Sequence, residues 1–155
     1  MKIKILEYGD TRWGQVATYA KNCSFQGSGT YLAELMTAGT FSDFEKVFCA
    51  YEGDSIIGFC TISKESCVEN DIHYPWLDFL FVDELYRKQG IGRQLVNAVI
   101  MYAKSLDFNE LFLCTASHED MYHKLGFMTL YEVNINECTK GKVMKIVLSD
   151  ENKIS

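Results

Sequence analysis

The stretch 76–102 most constrains the fold, because it joins an apolar strand to an amphipathic helix through a glycine-containing turn. Residues 76–82 are aromatic or aliphatic at every position except Asp78, which is typical of a strand covered on both faces. From Ile91 onward, apolar residues recur at helical spacing. The pattern predicts a buried strand, a loop over residues 83–89 and a helix that packs on a sheet.

The turn before this helix has the composition of an anion-binding site. Gly90 and Gly92 let a ligand approach the backbone closely, and a helix start leaves several N–H groups unpaired beside the positive end of the dipole. Arg87, Lys88 and Arg93 add positive charge. We therefore expect a phosphate or pyrophosphate here. An ordinary glycine turn entering a core helix is the alternative that the glycines alone leave open.

Two common phosphate-binding motifs do not fit this turn. The dinucleotide fingerprint G-x-G-x-x-G requires a third glycine where this chain has Leu95, and the P-loop pattern G-x-x-x-x-G-K-[ST] is absent. The run 87–92, Arg-Lys-Gln-Gly-Ile-Gly, instead resembles the acetyl-CoA pyrophosphate loop of the GNAT superfamily of N-acetyltransferases, whose pattern is [RQ]-x-x-G-x-[GA]. The strand before it and the helix after it match the setting of that loop.

A second segment resembles the same family. Residues 121–127, Met-Tyr-His-Lys-Leu-Gly-Phe, resemble the GNAT signature in which a Tyr is followed by x-K-x-G-F after the fifth strand. Together the two signatures cover 76–127 in the expected order. The resemblance implies an α/β (α+β) fold: a mixed, mainly antiparallel sheet of six or seven strands with a splayed central pair, and about four helices. We expect a single domain over 1–149 and a frayed tail over 150–155.

The order of predicted elements agrees with that fold. Gly27 to Gly29 are expected to form a flexible break between the first two helices, and Pro75 to precede the paired part of its strand. The predicted strands span residues 2–7, 45–51, 55–63, 76–82, 111–115, 128–135 and 143–148, the last two joined by the polar stretch 136–142. The predicted helices span residues 12–22, 31 to the stop at Gly39, 91–106 and 121–126.

The resemblance also implies where the cofactor binds. Acetyl-CoA would enter the gap between the 76–82 and 111–115 strands, where splaying leaves main-chain groups of Leu80, Phe81 and Val82 without strand partners. The short loop after the fifth strand lacks the Asn that the family often carries there, and His118 is the candidate substitute. The predicted cofactor-binding residues are Leu80, Phe81, Val82, Arg87, Lys88, Gln89, Gly90, Ile91, Gly92, Arg93 and His118.

Two residues are candidates for proton transfer. Tyr122 occupies the tyrosine position of the second signature, so it is the candidate general acid that protonates the departing CoA thiolate. The alternative is that Tyr122 is an aromatic residue of the core with no role in the reaction. Asp78 is the candidate general base, because burial raises a carboxyl pKa. Strand alternation places it on the same face as Leu80 and Val82. Three alternatives stay open. Asp78 pairs with a neighbouring group and is not the base, Glu84 is the base, or a chain of waters carries the proton away.

The reaction implied by the resemblance is direct transfer of an acetyl group from acetyl-CoA to a primary amine of a small molecule or peptide, in a ternary complex. Tyr31, Tyr74 and Trp76 are candidates for the acceptor pocket. Two alternatives stay open. One is a non-catalytic acyl-CoA-binding sensor or partner module, and the other is a GNAT-fold enzyme with a different acyl donor.

Charge and composition limit the remaining partners. A formal charge of −6 and a pI near 5.0 disfavour nucleic acid, and no apolar run is long enough to span a membrane. His118 and His123 are one residue too far apart for an H-E-x-x-H zinc site, so we expect no metal. Six cysteines without a C-x-x-C pair, and a start without a signal-peptide pattern, predict reduced thiols and a cytoplasmic location. A monomer and a homodimer are both left open.

Overall fold

The structure, a computed structural model, describes residues 1–149, which form a seven-stranded mixed sheet with four α-helices and one short 3₁₀ helix, Glu84–Tyr86. The strands are β1 Lys2–Leu6, β2 Lys46–Glu52, β3 Ser55–Ser63, β4 Trp76–Val82, β5 Glu110–Thr115, β6 Met128–Asn134 and β7 Lys140–Val147. The helices are α1 Trp13–Asn22, α2 Gln26–Thr37, α3 Ile91–Ser105 and α4 Glu119–Lys124. The predicted frayed tail, 150–155, lies outside the described residues.

The sheet has the order β1-β2-β3-β4-β5-β7-β6, and only the central pair β4–β5 of these seven strands is parallel. A parallel pair needs a crossover connection, which α3 supplies between β4 and β5. The predicted fold class, a mixed and mainly antiparallel sheet with about four helices, is confirmed.

Helices cover both faces of the sheet. On one face α3 packs against β2, β3 and β4, and on the other face α1 and α2 cover the same strands. The first layer includes Leu95, Val96, Val99, Ala103, Phe48, Ile57, Ile62 and Leu77, all buried. The second includes Val16, Ala20, Leu32, Met36, Val47, Cys49, Phe59 and Phe81, also buried. Burial on both sides explains why β2, β3 and β4 read as nearly continuous apolar runs.

Three predicted boundaries are wrong. α4 spans Glu119–Lys124 rather than 121–126. The stretch from Gly27 to Gly29, expected as a flexible break, lies within α2. A Cβ added at Gly29 would lie 2.1 Å from the carbonyl oxygen of Ala20, so glycine here permits close packing of α2 on α1. β7 begins at Lys140 rather than at residue 143, because the chain after β6 closes a short hairpin turn. None of the described helices is long and apolar enough to cross a membrane.

Candidate active site

β4 and β5 separate shortly after they meet. Trp76 and Phe112 are the one pair in register between the two strands in the described chain, and the N–H of Phe112 also donates to the carbonyl of Pro75 (3.0 Å). Beyond this point the strands diverge, and the edge of β4 that faces β5 is left without a neighbouring strand. The predicted splay of the central pair is therefore present.

The backbone of Val82 points into the gap. The N–H of Asp83 donates to Ile57 on β3 (2.8 Å), so the alternation of an antiparallel ladder directs the preceding residue away from β3. The Val82 carbonyl accepts a hydrogen bond from Nε of Arg87 (2.8 Å). Phe81 obeys the same alternation and directs its main chain towards β3. The prediction that the Phe81 backbone lacks a strand partner is wrong for that reason.

The first turn of α3 presents unpaired N–H groups. Gly90 is the N-cap residue with φ of +81°, and the first helical hydrogen bond runs from the N–H of Gln94 to the Gly90 carbonyl (3.1 Å). The N–H groups of residues 91–93 therefore have no intrahelical acceptor. Lys88 also has a left-handed φ of +64°. This conformation gathers successive backbone donors at the positive end of the helix dipole, which suits an anion.

These elements surround one cavity of about 590 Å³, which we call the cleft cavity. It is lined by Ser24, Phe25, Leu80, Phe81, Val82, Tyr86, Arg87, Lys88, Gly90, Ile91, Gly92, Arg93, His118, Met121 and Tyr122. Every residue predicted to bind the cofactor lines it, except Gln89. The guanidinium carbon of Arg87 lies 5.5 Å from the centre of the Phe81 ring, which holds a positive charge at the rim.

Tyr122 is a buried residue that lines the cleft cavity. Its side chain is 6% exposed, and its ring packs edge-on against Phe127. Burial is the main reason why the pKa of Tyr122 is raised, and the nearby Cys60 and Asp78 raise it further. The hydroxyl makes no hydrogen bond to another residue of the described chain, which leaves it free to donate a proton to a ligand.

A bulge in β4 changes the face that Asp78 occupies. Phe79 and Leu80 stand opposite a single residue of β3, and Phe79 has a left-handed φ of +53°. The extra residue breaks the strand alternation, so Asp78 faces α2 while Leu80 and Val82 pack towards α3. The prediction that Asp78 shares a face with Leu80 and Val82 is therefore wrong.

Asp78 lines a second cavity of about 500 Å³, which we call the Asp78 cavity. It is lined by Phe25, Ser28, Tyr31, Leu35, Thr40, Phe41, Glu45, Thr61, Ser63, Lys64, Glu65, Ser66, Cys67, Asp78 and Phe79. Burial raises the pKa of the Asp78 carboxyl, and the Phe79 N–H, which donates to it at 2.8 Å, opposes the shift. Glu84, the other candidate base, is exposed on the 3₁₀ helix and lines neither of these two cavities.

Of the three candidates for the acceptor pocket, only Tyr31 lines the Asp78 cavity. Tyr74 stacks on Phe44 and lines neither of these two cavities. Trp76 is 1% exposed, and its indole Nε1 donates to the carbonyl of His73 (2.6 Å), which makes it a core residue. The apolar run that contains Trp76 could not distinguish a pocket wall from a core position.

Phe25 lines both cavities and is not among the site residues predicted from the sequence. Its ring stacks on Phe81 with centroids 5.2 Å apart. It lies at the junction between α1 and α2. An aromatic residue between two amphipathic helices is the sequence feature from which its place in the site could have been predicted. Phe25 therefore forms a shared wall between the cleft cavity and the Asp78 cavity.

Comparison with known proteins identifies the family. Residues 13–127 match the sequence model of the acetyltransferase (GNAT) family. The chain belongs to the acetyltransferase (GNAT) family. The resemblance inferred from the signatures at 87–92 and 121–127 is thereby confirmed.

Individual GNAT proteins are similar to this chain over different lengths. The spermine/spermidine N(1)-acetyltransferase of Bacillus subtilis (strain 168) is 28% identical over 95 residues, which are 60% of this chain and 53% of that protein. The chain thus spans about half the length of this relative. The aminoglycoside 6'-N-acetyltransferase from Enterococcus faecium has a TM-score of 0.75 at 16% identity, covering 97% of this chain and 99% of that one. An aminoglycoside 6'-N-acetyltransferase complexed with coenzyme A has a TM-score of 0.71, with the same identity and coverage. The two structures show the shared fold.

Proposed function

We propose that this GNAT protein transfers an acetyl group from acetyl-CoA to a primary amine, with both substrates bound at once. The observation that supports the proposal is the cleft cavity, which joins the unpaired N–H groups of α3, the open edge of β4 and the buried phenol of Tyr122. An anion of pyrophosphate size fits the unpaired N–H groups of α3, and a chain that carries amides fits the open edge of β4.

Acetyl-CoA supplies an activated thioester, so this chain need not form a covalent intermediate. The α3 turn, with Arg87 and Lys88 at its rim, would bind the phosphates. The cleft-facing backbone of Val82 would align the thioester arm. Tyr122, held protonated by its raised pKa, would donate its proton to the departing sulfur.

The Asp78 cavity suits the amine. An alkylammonium with a pKa of about 10 must lose a proton before it can attack, and a buried carboxylate can accept that proton. Glu45, Glu65 and Asp78 supply acidic groups to the cavity wall. Its one lysine, Lys64, is paired with Asp43 at 2.6 Å, so the cavity keeps an acidic balance that favours a cation. The acceptor we propose is therefore a cationic amine.

Thiol release from acetyl-CoA tests the proposal. Purified protein is incubated with acetyl-CoA and each of a panel of polyamines, aminoglycosides, amino acids and peptides, and free CoA is measured with a thiol reagent. We expect release that depends on at least one amine and acetylation of that amine by mass spectrometry. Tight binding of acetyl-CoA without release for any amine would favour a binding module, and release only with a longer acyl-CoA would favour a different donor.

A further inference from the structure

Phe25 is the one residue of the described chain that lines both the cleft cavity and the Asp78 cavity. An amine in the Asp78 cavity must reach the thioester carbon in the cleft cavity before a bond can form, so the two substrates must meet where the cavities adjoin. These substrate positions rest on the proposed function, which assigns one cavity to each substrate. The acyl group would therefore react beside the Phe25 ring.

Two buried rings of the core support the Phe25 ring. The ring stacks on Phe81 with centroids 5.2 Å apart and an interplanar angle of 22°, and its centroid lies 6.1 Å from that of Phe59. Phe59 and Phe81 are both buried, whereas Phe25 is half-buried because its remaining surface faces the two cavities. A smaller residue at position 25 would therefore leave apolar space above two rings that the core holds in place.

The backbone on both sides of Phe25 is also held. Phe25 ends the three-residue connection 23–25 between α1 and α2. The N–H of Cys23 donates to the carbonyl of Tyr19 (2.9 Å), and Gln26, the first residue of α2, has a left-handed φ of +46°. The two helices thus fix the position of the Phe25 Cα, and the aromatic stack opposes rotation of the side chain.

We propose that Phe25 determines donor specificity by limiting the acyl group to about the size of acetyl. Besides sulfur, the thioester carbon carries an oxygen and an alkyl group. The oxygen gains negative charge as the amine attacks and needs hydrogen-bond donors, which the open edge of β4 can offer and an aromatic ring cannot. The alkyl group then faces the aromatic side. A methyl group fits against the Phe25 ring, and a longer chain meets it.

The neighbouring aromatic residues each border one cavity. Phe79 lines the Asp78 cavity, where its ring centroid lies 6.0 Å from that of Tyr31. Phe81 lines the cleft cavity beneath the Phe25 ring. Removal of the Phe25 ring should join the two cavities, and a longer acyl chain would then lie against Phe59 and Phe81. Apolar contact with these rings would favour such a chain.

Binding of CoA thioesters tests the inference without any turnover. Calorimetry gives the affinities for acetyl-CoA and butyryl-CoA of the wild type, Phe25→Leu, Phe25→Ala and the matched control Phe44→Leu. Phe44 is half-buried like Phe25, packs edge-on against Phe108 with centroids 4.9 Å apart and lines neither of the two cavities. We expect the wild type to bind acetyl-CoA at least about tenfold more tightly than butyryl-CoA. Phe25→Ala should remove most of this preference, Phe25→Leu part of it and Phe44→Leu none.

Thiol release with an amine that the protein acetylates gives a second readout. The ratio of kcat/KM for butyryl-CoA to that for acetyl-CoA should rise by about tenfold or more in Phe25→Ala. Mass spectrometry should then find the butyrylated amine. The same ratio should be unchanged in Phe44→Leu.

The outcomes separate this inference from the proposed function. Equal affinity of the wild type for the two thioesters, the same preference in all four proteins, or an equal change in Phe44→Leu would overturn the size limit. Thermal unfolding identifies any variant that does not fold, and Phe25→Leu decides where Phe25→Ala is unfolded. If the preference changes as expected and no amine is acylated, the size limit stands and the proposed function fails. If amines are acetylated and the preference does not change, the proposed function stands and the size limit fails.

Discussion

Tyr122→Phe should reduce catalysis and leave folding intact. The substitution removes one oxygen from a side chain that is 6% exposed and whose hydroxyl has no partner within residues 1–149. No donor or acceptor is orphaned, so the free energy of unfolding should change by less than about 1 kcal/mol. Loss of a general acid lowers kcat by about 10²–10⁴-fold. That range corresponds to about 3–5 kcal/mol of transition-state stabilisation.

Tyr102→Phe is the matched control, because it deletes the same atom from a partly buried tyrosine outside both cavities. The Tyr102 hydroxyl donates to the carbonyl of Phe44 (3.0 Å), so its removal should cost about 1 kcal/mol of stability. In a chain of this size that lowers Tm by about 2–4 °C. Its kcat should be unchanged.

Three measurements on both variants separate the two effects: kcat by thiol release, acetyl-CoA affinity by calorimetry and Tm by thermal unfolding. The reasoning requires opposite results, with kcat lost in Tyr122→Phe and Tm lost in Tyr102→Phe. Full kcat in Tyr122→Phe would refute the assignment of the acid. Equal losses of kcat in both variants would show that turnover depends on packing rather than on a proton donor.

Three further substitutions test other parts of the site and fold. Asp78→Asn should lower kcat/KM and raise Tm at neutral pH. Burial raises the folded-state pKa of the Asp78 carboxyl above its unfolded-state pKa of about 3.9. The contribution of this carboxyl to stability is therefore fully present below the unfolded-state pKa and is lost as pH rises through the folded-state pKa. Gly90→Ala should weaken acetyl-CoA binding, measured by calorimetry, while Gly53→Ala, which carries similar left-handed strain on the β2–β3 turn, should not. Gly29→Ala should destabilise the protein by about 1–3 kcal/mol in denaturant unfolding, because its Cβ meets α1, whereas Gly27→Ala has open space and should not.

Specific results would contradict each of these. A pH–Tm profile that is identical for the wild type and Asp78→Asn would mean that the carboxyl is not desolvated. Equal loss of affinity in Gly90→Ala and Gly53→Ala would assign the effect to general strain. Equal stability of the two α2 variants would mean that the helix contact is not as close as the structure has it.

The sequence predicted most of the fold because hydrophobic periodicity and the order of elements are encoded locally. The run 76–82, the turn at Gly90 and the helix after it all lie where periodicity placed them. Boundaries set by tertiary contact were missed. Gly29 looks like a breaker by composition, and its position in a helix depends on a carbonyl of α1 that the local sequence does not reveal.

The site also has a part that local sequence predicts and a part that depends on tertiary contacts. The residues of the α3 turn could be predicted, since a short motif fixes a backbone conformation. The face of Asp78 could not, because one residue with positive φ, Phe79, inverts the alternation and nothing in an aromatic run signals a bulge. Phe25 stacks on Phe81, which is distant from it in the chain, and spacing along the sequence cannot reveal such a contact.

The hydrogen bond from Arg87 to the Val82 carbonyl has a consequence for solubility. A strand edge exposed in the middle of a sheet is a template on which another chain can add and start aggregation. The Arg87 side chain already hydrogen-bonds the Val82 carbonyl on that edge and places its positive charge over the Phe81 ring. An incoming strand would therefore have to displace the Arg87 guanidinium before it could pair there. The same side chain thus lets the protein keep an open groove for a ligand without offering it to a second polypeptide.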